Sequence, residues 1–247
     1  MNETLDAINR MGAVTISREY GSGGGEIASR LARHIGWQLI DHEIVERVAL
    51  ELGTSTQDAE AHDERTEGAF AQLLSAVQYL EPALMVNAPP EAFLTDDNVY
   101  RDAVSNVVQA AAKGRHAVIV GRGSQVLLGG QRDVLHVRIV APLEKRITYV
   151  MQRETLDRSA AQARIEAKDH GRMRYLQATY HQKPDDVHLY DLVLNTAVLD
   201  LESAVEMITL ALQLKAKGLS VRTGDLGPAV GLSPYPQQPE DFRSSLR

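Results

Sequence analysis

Four glycines, Gly21, Gly23, Gly24 and Gly25, with Ser22 after the first, lie between an apolar alternation at Val14 and Ile16 and a helix-spaced series at Ile27, Leu31 and Ile35. A strand that runs through such a loop into a helix is suited to gripping phosphate. Glycine turns the chain with positive φ and lets an anion come close to the backbone, while unpaired N–H groups at the helix start supply donors and partial positive charge. A flexible connector would show the same glycine cluster, so the rest of the chain has to decide between the two.

Laid on the phosphate-loop pattern G-x-x-x-x-G-K-[ST] with Gly24 as the second glycine, the chain has Glu19 at the first glycine, Gly25 at the lysine and Glu26 at the hydroxyl residue. A main-chain cradle over Gly21, Ser22, Gly23, Gly24, Gly25 and Glu26 survives these changes. The lysine charge on the β- and γ-phosphates and the hydroxyl ligand to Mg²⁺ do not. Arg18, just before the loop, is the nearest cationic substitute.

Other residues point toward the same crevice. The run WQLID at 37–41 reads as a short strand ending in Asp41, which either lies at the ligand-binding edge of a sheet or caps the next helix. His42 beside it reads as a solvated histidine before a ligand contact, and HEIVE is no zinc motif, since it lacks the second histidine. HAVIVG at 116–121 is a buried strand leading into Arg122, which sits between Gly121 and Gly123 and reads as an anion-binding residue rather than a surface charge. Further on, Arg153, Arg158, Arg164, Arg172 and Arg174 accompany Lys168 and Asp169. Such charges either solubilise helices through i,i+4 pairs or, on a mobile flap, close over a polyphosphate and stabilise a transferring phosphoryl group.

The elements that must position these groups alternate along the chain. Strands are expected near Val14 and Ile16, at 37–41, at 116–121, at 134–140 and at 190–195. Helices follow the glycine loop as far as Gly36, open at Pro142 and close the domain at 201–214. Residues 1–12 read as a frayed lead-in or a short helix. Helical spacing interrupted by Pro82, Pro89 and Pro90 fills 44–112, with amphipathic stretches at 70–84 and 98–112, so a helical insertion separates the second strand from the third. Its apolar stripes fit core packing or a homodimer face, and its acidic run at 58–67 fits solvated surface. Proline and glycine dominate after 218, and residues 218–247 read as a tail that is disordered or packs by short contacts.

Composition narrows the function classes. With 247 residues, 44% of them hydrophobic, the chain can bury a full core as one large domain or a domain with an insertion. No apolar run approaches the roughly 18 residues of a membrane span, and no signal peptide is expected at the N-terminus. A formal charge of −7 argues against sequence-independent nucleic-acid binding. With no cysteine the chain has no disulfide, thiol nucleophile or thiolate metal site, which fits the expected cytoplasmic location.

The wording ISREYGSGGGEIA, IVGRG, DHGRMRY and YDLVLNT resembles the cytidylate kinase-like family, a branch of the P-loop nucleoside monophosphate kinases, over residues 12–214. That family's loop usually reads GSGGRE, so Gly25 removes an arginine as well as the lysine of ordinary kinases, and Gly123 stands where true cytidylate kinases carry the aspartate of a GRD element. The resemblance implies a three-layer α/β/α domain over 12–217 with a five-stranded parallel sheet of order 2-3-1-4-5, the helical insertion and an arginine-rich flap at 153–180. It implies ATP phosphates over residues 21–26, a CMP- or dCMP-like acceptor near Asp41, Arg122, Asp169 and Asp191, and Mg²⁺ with unidentified ligands. Arg18, Arg122, Lys168 and Arg172 are the expected catalytic cations. The same features admit a second function, a nucleotide sensor or scaffold without turnover, and a third, a kinase for a different small molecule.

Overall fold

The computed structural model describes residues 7–41, 44–45 and 97–227. His42, the stretches at 58–67 and 70–84 of the expected insertion, the homodimer face read into it, and the tail beyond 227 lie outside those residues. Five parallel strands form one sheet: β1 (Ala13–Arg18), β2 (Gln38–Ile40), β3 (Ala117–Val120), β4 (Val134–Val140) and β5 (Leu192–Asn195). Their spatial order is β2-β3-β1-β4-β5, the order expected from the sequence. β1 is central, pairing Val14 with Val118 on one side and with Leu135 on the other.

Helices cover both faces. α1 (Gly24–Ile35) follows β1, α2 (Asp97–Gly114) precedes β3, and α3 (Ser124–Leu127) follows it. After β4 come α4 (Leu143–Glu154) and α5 (Arg158–Tyr180), and α6 (Leu201–Gly218) follows β5. The period-two alternation of the strands decides which face each residue serves. Val14, Ile16, Val118, Val137 and Ile139 pack with Ile27 and Leu31 of α1 and Ile208 and Leu212 of α6. Their neighbours Ala13, Ala117, Ile119 and Val134 pack with Val104, Val107, Val108 and Ala111 of α2 on the other face. Each fully buried leucine or isoleucine contributes about 1.5–3 kcal/mol by its removal from water. Gly36, with φ 70°, ends α1 in the left-handed conformation expected of it.

Of the two readings of the lead-in, a frayed end or a short helix, the first is set aside. The lead-in is no frayed end where it is described, because Ala7, Ile8 and Met11 are buried in the first core cluster. Its polar appearance came from the residues around those three. Beyond the C-terminal edge of the sheet, α4 and α5 form a small core of their own from Ile147, Val150, Ala161 and Ile165, with Tyr20 packed against it. Arg132 donates hydrogen bonds to the carbonyls of Gly218 (2.8 Å) and Val221 (2.7 Å), which fixes the chain just after α6.

Candidate functional site

The loop between β1 and α1 is shaped by its glycines, but not all of them are needed for the same reason. Gly21 (φ 80°) and Gly23 (φ 79°) adopt left-handed backbone, and Gly23 occupies the N-cap of α1 without any side-chain cap. A Cβ at Gly21 would lie 2.9 Å from the Arg146 carbonyl, and one at Gly24 would lie 2.6 Å from Cβ of Arg18. At Gly25 a Cβ would meet nothing within 4 Å. Among the described residues no side chain caps the first turn of α1, and the positive end of the helix dipole lies at the loop.

Ser22 serves the loop itself. Its hydroxyl donates to the carbonyl of Glu19 (2.8 Å) and lies 3.3 Å from that of Ile139, and its own carbonyl accepts from the Thr196 hydroxyl (2.9 Å). Glu19 accepts from the N–H of Ala141 (3.0 Å), so the residue at the position of the first glycine anchors the loop to the end of β4. Glu26 is held by Arg30 of its own helix (2.6 Å) and by Tyr149 (3.3 Å) and Arg153 (3.6 Å) of α4, and the Arg30 hydrogen bond is the main reason its carboxyl titrates below the usual range.

These residues open onto a cleft of about 1550 Å³ that is lined by the loop, the tips of β1, β3 and β4, and α5. Six arginines line it: Arg18 at the end of β1, Arg33 on α1, Arg122 in the turn after β3, Arg138 on β4, Arg153 on α4 and Arg172 on α5. Arg18 lies across Gly121, where a Cβ would come within 2.5 Å of its Nη1. Its guanidinium is pushed down to about 9, first by burial and then by Arg172 and Arg122, with Asp41 opposing. It remains cationic at neutral pH. Burial likewise lowers Arg122 and Arg172, opposed by Tyr175 at the first and by Asp169 at the second. Clustered guanidinium groups with partial desolvation favour a polyanion, whose charge relieves their mutual repulsion.

α5 is docked onto the loop by charge and hydrogen bonding. Asp169 accepts from the Tyr20 N–H (2.8 Å) and from Arg146 (2.5 Å), and Arg172 donates to the carbonyl of Arg18 (3.1 Å). Arg146 also donates to the carbonyls of Ala141 (2.9 Å) and Tyr20 (3.3 Å) and lies 3.5 Å from Glu19. Tyr20 also donates its hydroxyl to Glu154 of α4 (2.5 Å), which pairs in turn with Arg164 of α5 (2.6 Å).

The structure thus gathers Arg18, Gly21, Gly23, Gly24, Gly25, Glu26, Arg122, Lys168, Asp169 and Arg172 around one cleft, with Ser22 beneath it. Asp41 takes the capping role, accepting from the Ile44 N–H (3.0 Å); it is not among the residues that line the cleft, and its charge raises the pKa of Arg18. Asp191 is a correction. It precedes β5, away from the strand ends that carry the loop, where it accepts from the His136 N–H (2.8 Å) and pairs with Lys215 (2.5 Å). Strand direction places it there, since ligands meet the C-terminal ends of parallel strands.

Sequence reading passed over Arg138, whose Nη1 donates to Ser17 Oγ (3.0 Å), although a charge inside the apolar run VLHVRIV was a usable signal. Gln125 and Tyr175 gave no such signal, because only the packing of α3 and α5 turns them to the cleft. Among the described residues no group of three or more His, Asp or Glu is assembled to hold a metal ion.

A glycine loop between the central strand and its helix, on a parallel sheet of order 2-3-1-4-5 with helices on both faces, defines a P-loop kinase fold. The chain belongs to the cytidylate kinase-like family, whose profile matches residues 13–198. A cytidylate kinase of Methanopyrus kandleri is 27% identical over 185 residues, 74% of this chain and 84% of that protein. A uronate isomerase of Corynebacterium glutamicum is 31% identical over 108 residues, 44% of this chain, and the chain spans only 20% of that protein's length. An uncharacterized protein from Eubacterium ventriosum shares the fold, with a TM-score of 0.58 at 20% identity over 81% of this chain and 97% of that one.

Proposed function

We propose that the domain over 12–217 transfers the γ-phosphoryl group of ATP to a nucleoside monophosphate, CMP- or dCMP-like, in the cytoplasm. The observation that carries this reading is the convergence of a helix N-terminus without a side-chain cap and six arginines on one cleft. Phosphoryl transfer needs little covalent chemistry from a protein; it needs two anions held in line and neutralisation of charge as the bond shifts. In this reading the amides of Gly24, Gly25 and Glu26 hold the donor phosphates, Arg18 takes the part of the absent lysine, and Arg122 and Arg172 clamp the acceptor and the transferred group. Lys168 reaches in from the flap. Asp41 orients Arg18, and Asp169 holds the flap in place rather than touching the acceptor.

The fit to magnesium is poor on the protein side. Ser22 is committed to backbone carbonyls, and Glu19, Glu26 and Asp169 are each held by arginine. Magnesium arriving with ATP would supply neutralisation of the phosphate charge.

A coupled assay across the nucleoside monophosphates, with glucuronate as a non-nucleotide acceptor, tests the proposal. Turnover that collapses in Arg122→Ala supports it, and binding of an ATP analogue without turnover on any acceptor rejects it. One observation favours that second outcome, a nucleotide sensor or scaffold: the open space at Gly25, where kinases of this fold place a cation.

A further inference from the structure

Burying a charge without a counter-charge is costly. Arg138, on β4, is only 9% exposed, and no carboxylate pairs with it among the described residues. What holds it is neutral. Nη1 donates to Ser17 Oγ (3.0 Å), and Cζ lies over the Tyr190 ring, 5.6 Å from its centroid. The Tyr190 hydroxyl donates to the Pro184 carbonyl (2.9 Å) and lies 3.2 Å from Ser17 Oγ, so the ring and the serine fix the guanidinium together. Nε and Nη2 make no hydrogen bond among the described residues and are not sealed from solvent, while Ser17, Arg138 and Pro184 all line the cleft. Two N–H-bearing nitrogens of a held cation thus open onto it.

Strand parity separates this cation from the donor phosphates. Ile16, Val137 and Ile139 pack with Ile27 and Leu31 of α1, so Ser17 and Arg138, partners across β1 and β4, point to the opposite face of the sheet. An anion at Arg138 is therefore not a polyphosphate lying on the first turn of α1. β1 runs between β3 and β4, which puts Arg122 and Arg138 on opposite flanks of it. Arg172 is near enough for the charge of Arg138 to act on its titration, alongside burial and against Asp169, and an anion between the two guanidinium groups relieves that repulsion.

We infer that Arg138, held by Ser17 and Tyr190, binds the phosphate of the acceptor nucleotide from the β4 side of the cleft. This rests on the nucleotide-kinase reading of the cleft. A guanidinium offers a phosphate a planar fork of N–H donors, and a nucleoside without phosphate gives it no anion to hold. Arg138 is then a specificity-determining residue, one that selects phosphorylated acceptors over their nucleosides.

Calorimetric titration of the full chain with the four ribonucleoside 5′-monophosphates, the corresponding nucleosides and a non-hydrolysable ATP analogue tests it. Wild-type protein is expected to bind its preferred monophosphate more tightly than the matching nucleoside. Arg138→Gln is expected to weaken that monophosphate about tenfold or more, while the nucleoside and the ATP analogue bind as before. Should the glutamine variant fail to fold, Arg138→Lys replaces it with the same selective loss expected, since an ammonium lacks the planar fork that engages Ser17 and a phosphate together. Equal wild-type affinity for monophosphate and nucleoside overturns the inference alone. So does a folded variant in which the monophosphate is unaffected, falls in parallel with the nucleoside, or is spared while the ATP analogue is lost. No wild-type binding of any monophosphate overturns the kinase reading and the inference with it.

Discussion

The carboxylate of Asp169, on the flap helix α5, accepts a hydrogen bond of 2.8 Å from the backbone N–H of Tyr20, in the loop that leads to α1. Its other oxygen meets Arg146 at 2.5 Å. A flap residue thus grips the phosphate loop directly, so the order of the flap and the shape of the loop are linked.

Removing either partner should loosen both. Asp169 and Arg146 have side chains 30% and 11% exposed, so Asp169→Ala and Arg146→Ala should each cost about 1–3 kcal/mol in urea unfolding, after allowance for solvent screening. The double variant should cost less than the sum. Strict additivity would show that the pair does not couple α5 to the loop.

The two adjacent glycines should respond in opposite ways. Gly24→Ala collides with Arg18 and should weaken binding of an ATP analogue, whereas Gly25→Ala should leave it unchanged. Gly25→Lys places a cation in open space beside the helix N-terminus and should tighten analogue binding about tenfold, the scale of one charge-assisted hydrogen bond. A Gly25→Lys protein with wild-type affinity would show that no polyphosphate lies over this turn.

Gly123→Ala combines a left-handed backbone with a collision against Tyr180. Strain of this kind costs about 1–3 kcal/mol, and the displaced ring should also disturb the stacking of Tyr175 on Arg122. Thermal unfolding together with near-ultraviolet circular dichroism would register both changes.

His136 predicts a pH dependence. Burial lowers its pKa from 6.5 to about 4, against the pull of Asp191 and with a small push from Lys215, while the ring meets Thr15 Oγ1 at 2.8 Å. Above pH 6.5 the ring is neutral in both states and contributes no slope. As the pH falls from 6.5 to about 4 the unfolded chain takes up a proton that the native ring refuses, so stability declines across that window. His136→Asn should flatten the decline in urea unfolding measured at pH 7 and pH 5, and an unchanged slope would rule out His136 as its source.

The strands themselves, the turn that ends α1 at Gly36 and the glycine loop after β1 were legible in the chain, because each depends on neighbours in sequence, whereas the order of the strands came from the family resemblance. Apolar alternation, helical spacing and glycine conformation are local properties, and they survive without knowledge of the rest of the fold. The motif wording added the register of the whole domain.

What the tertiary structure decided was the direction and company of single side chains. Asp191 looked like a site residue beside a strand, and the polarity of that strand put it away from the loop. Arg146 was one arginine among several on helices, and only the approach of α5 to the loop made it the hub that joins Glu19, Tyr20 and Asp169. Gln125 carried no pattern at all; its place in the lining of the cleft exists only once the elements pack together. Periodicity along a chain fixes which face a residue takes, but the meeting of residues far apart in sequence is set by packing, which no local spacing encodes.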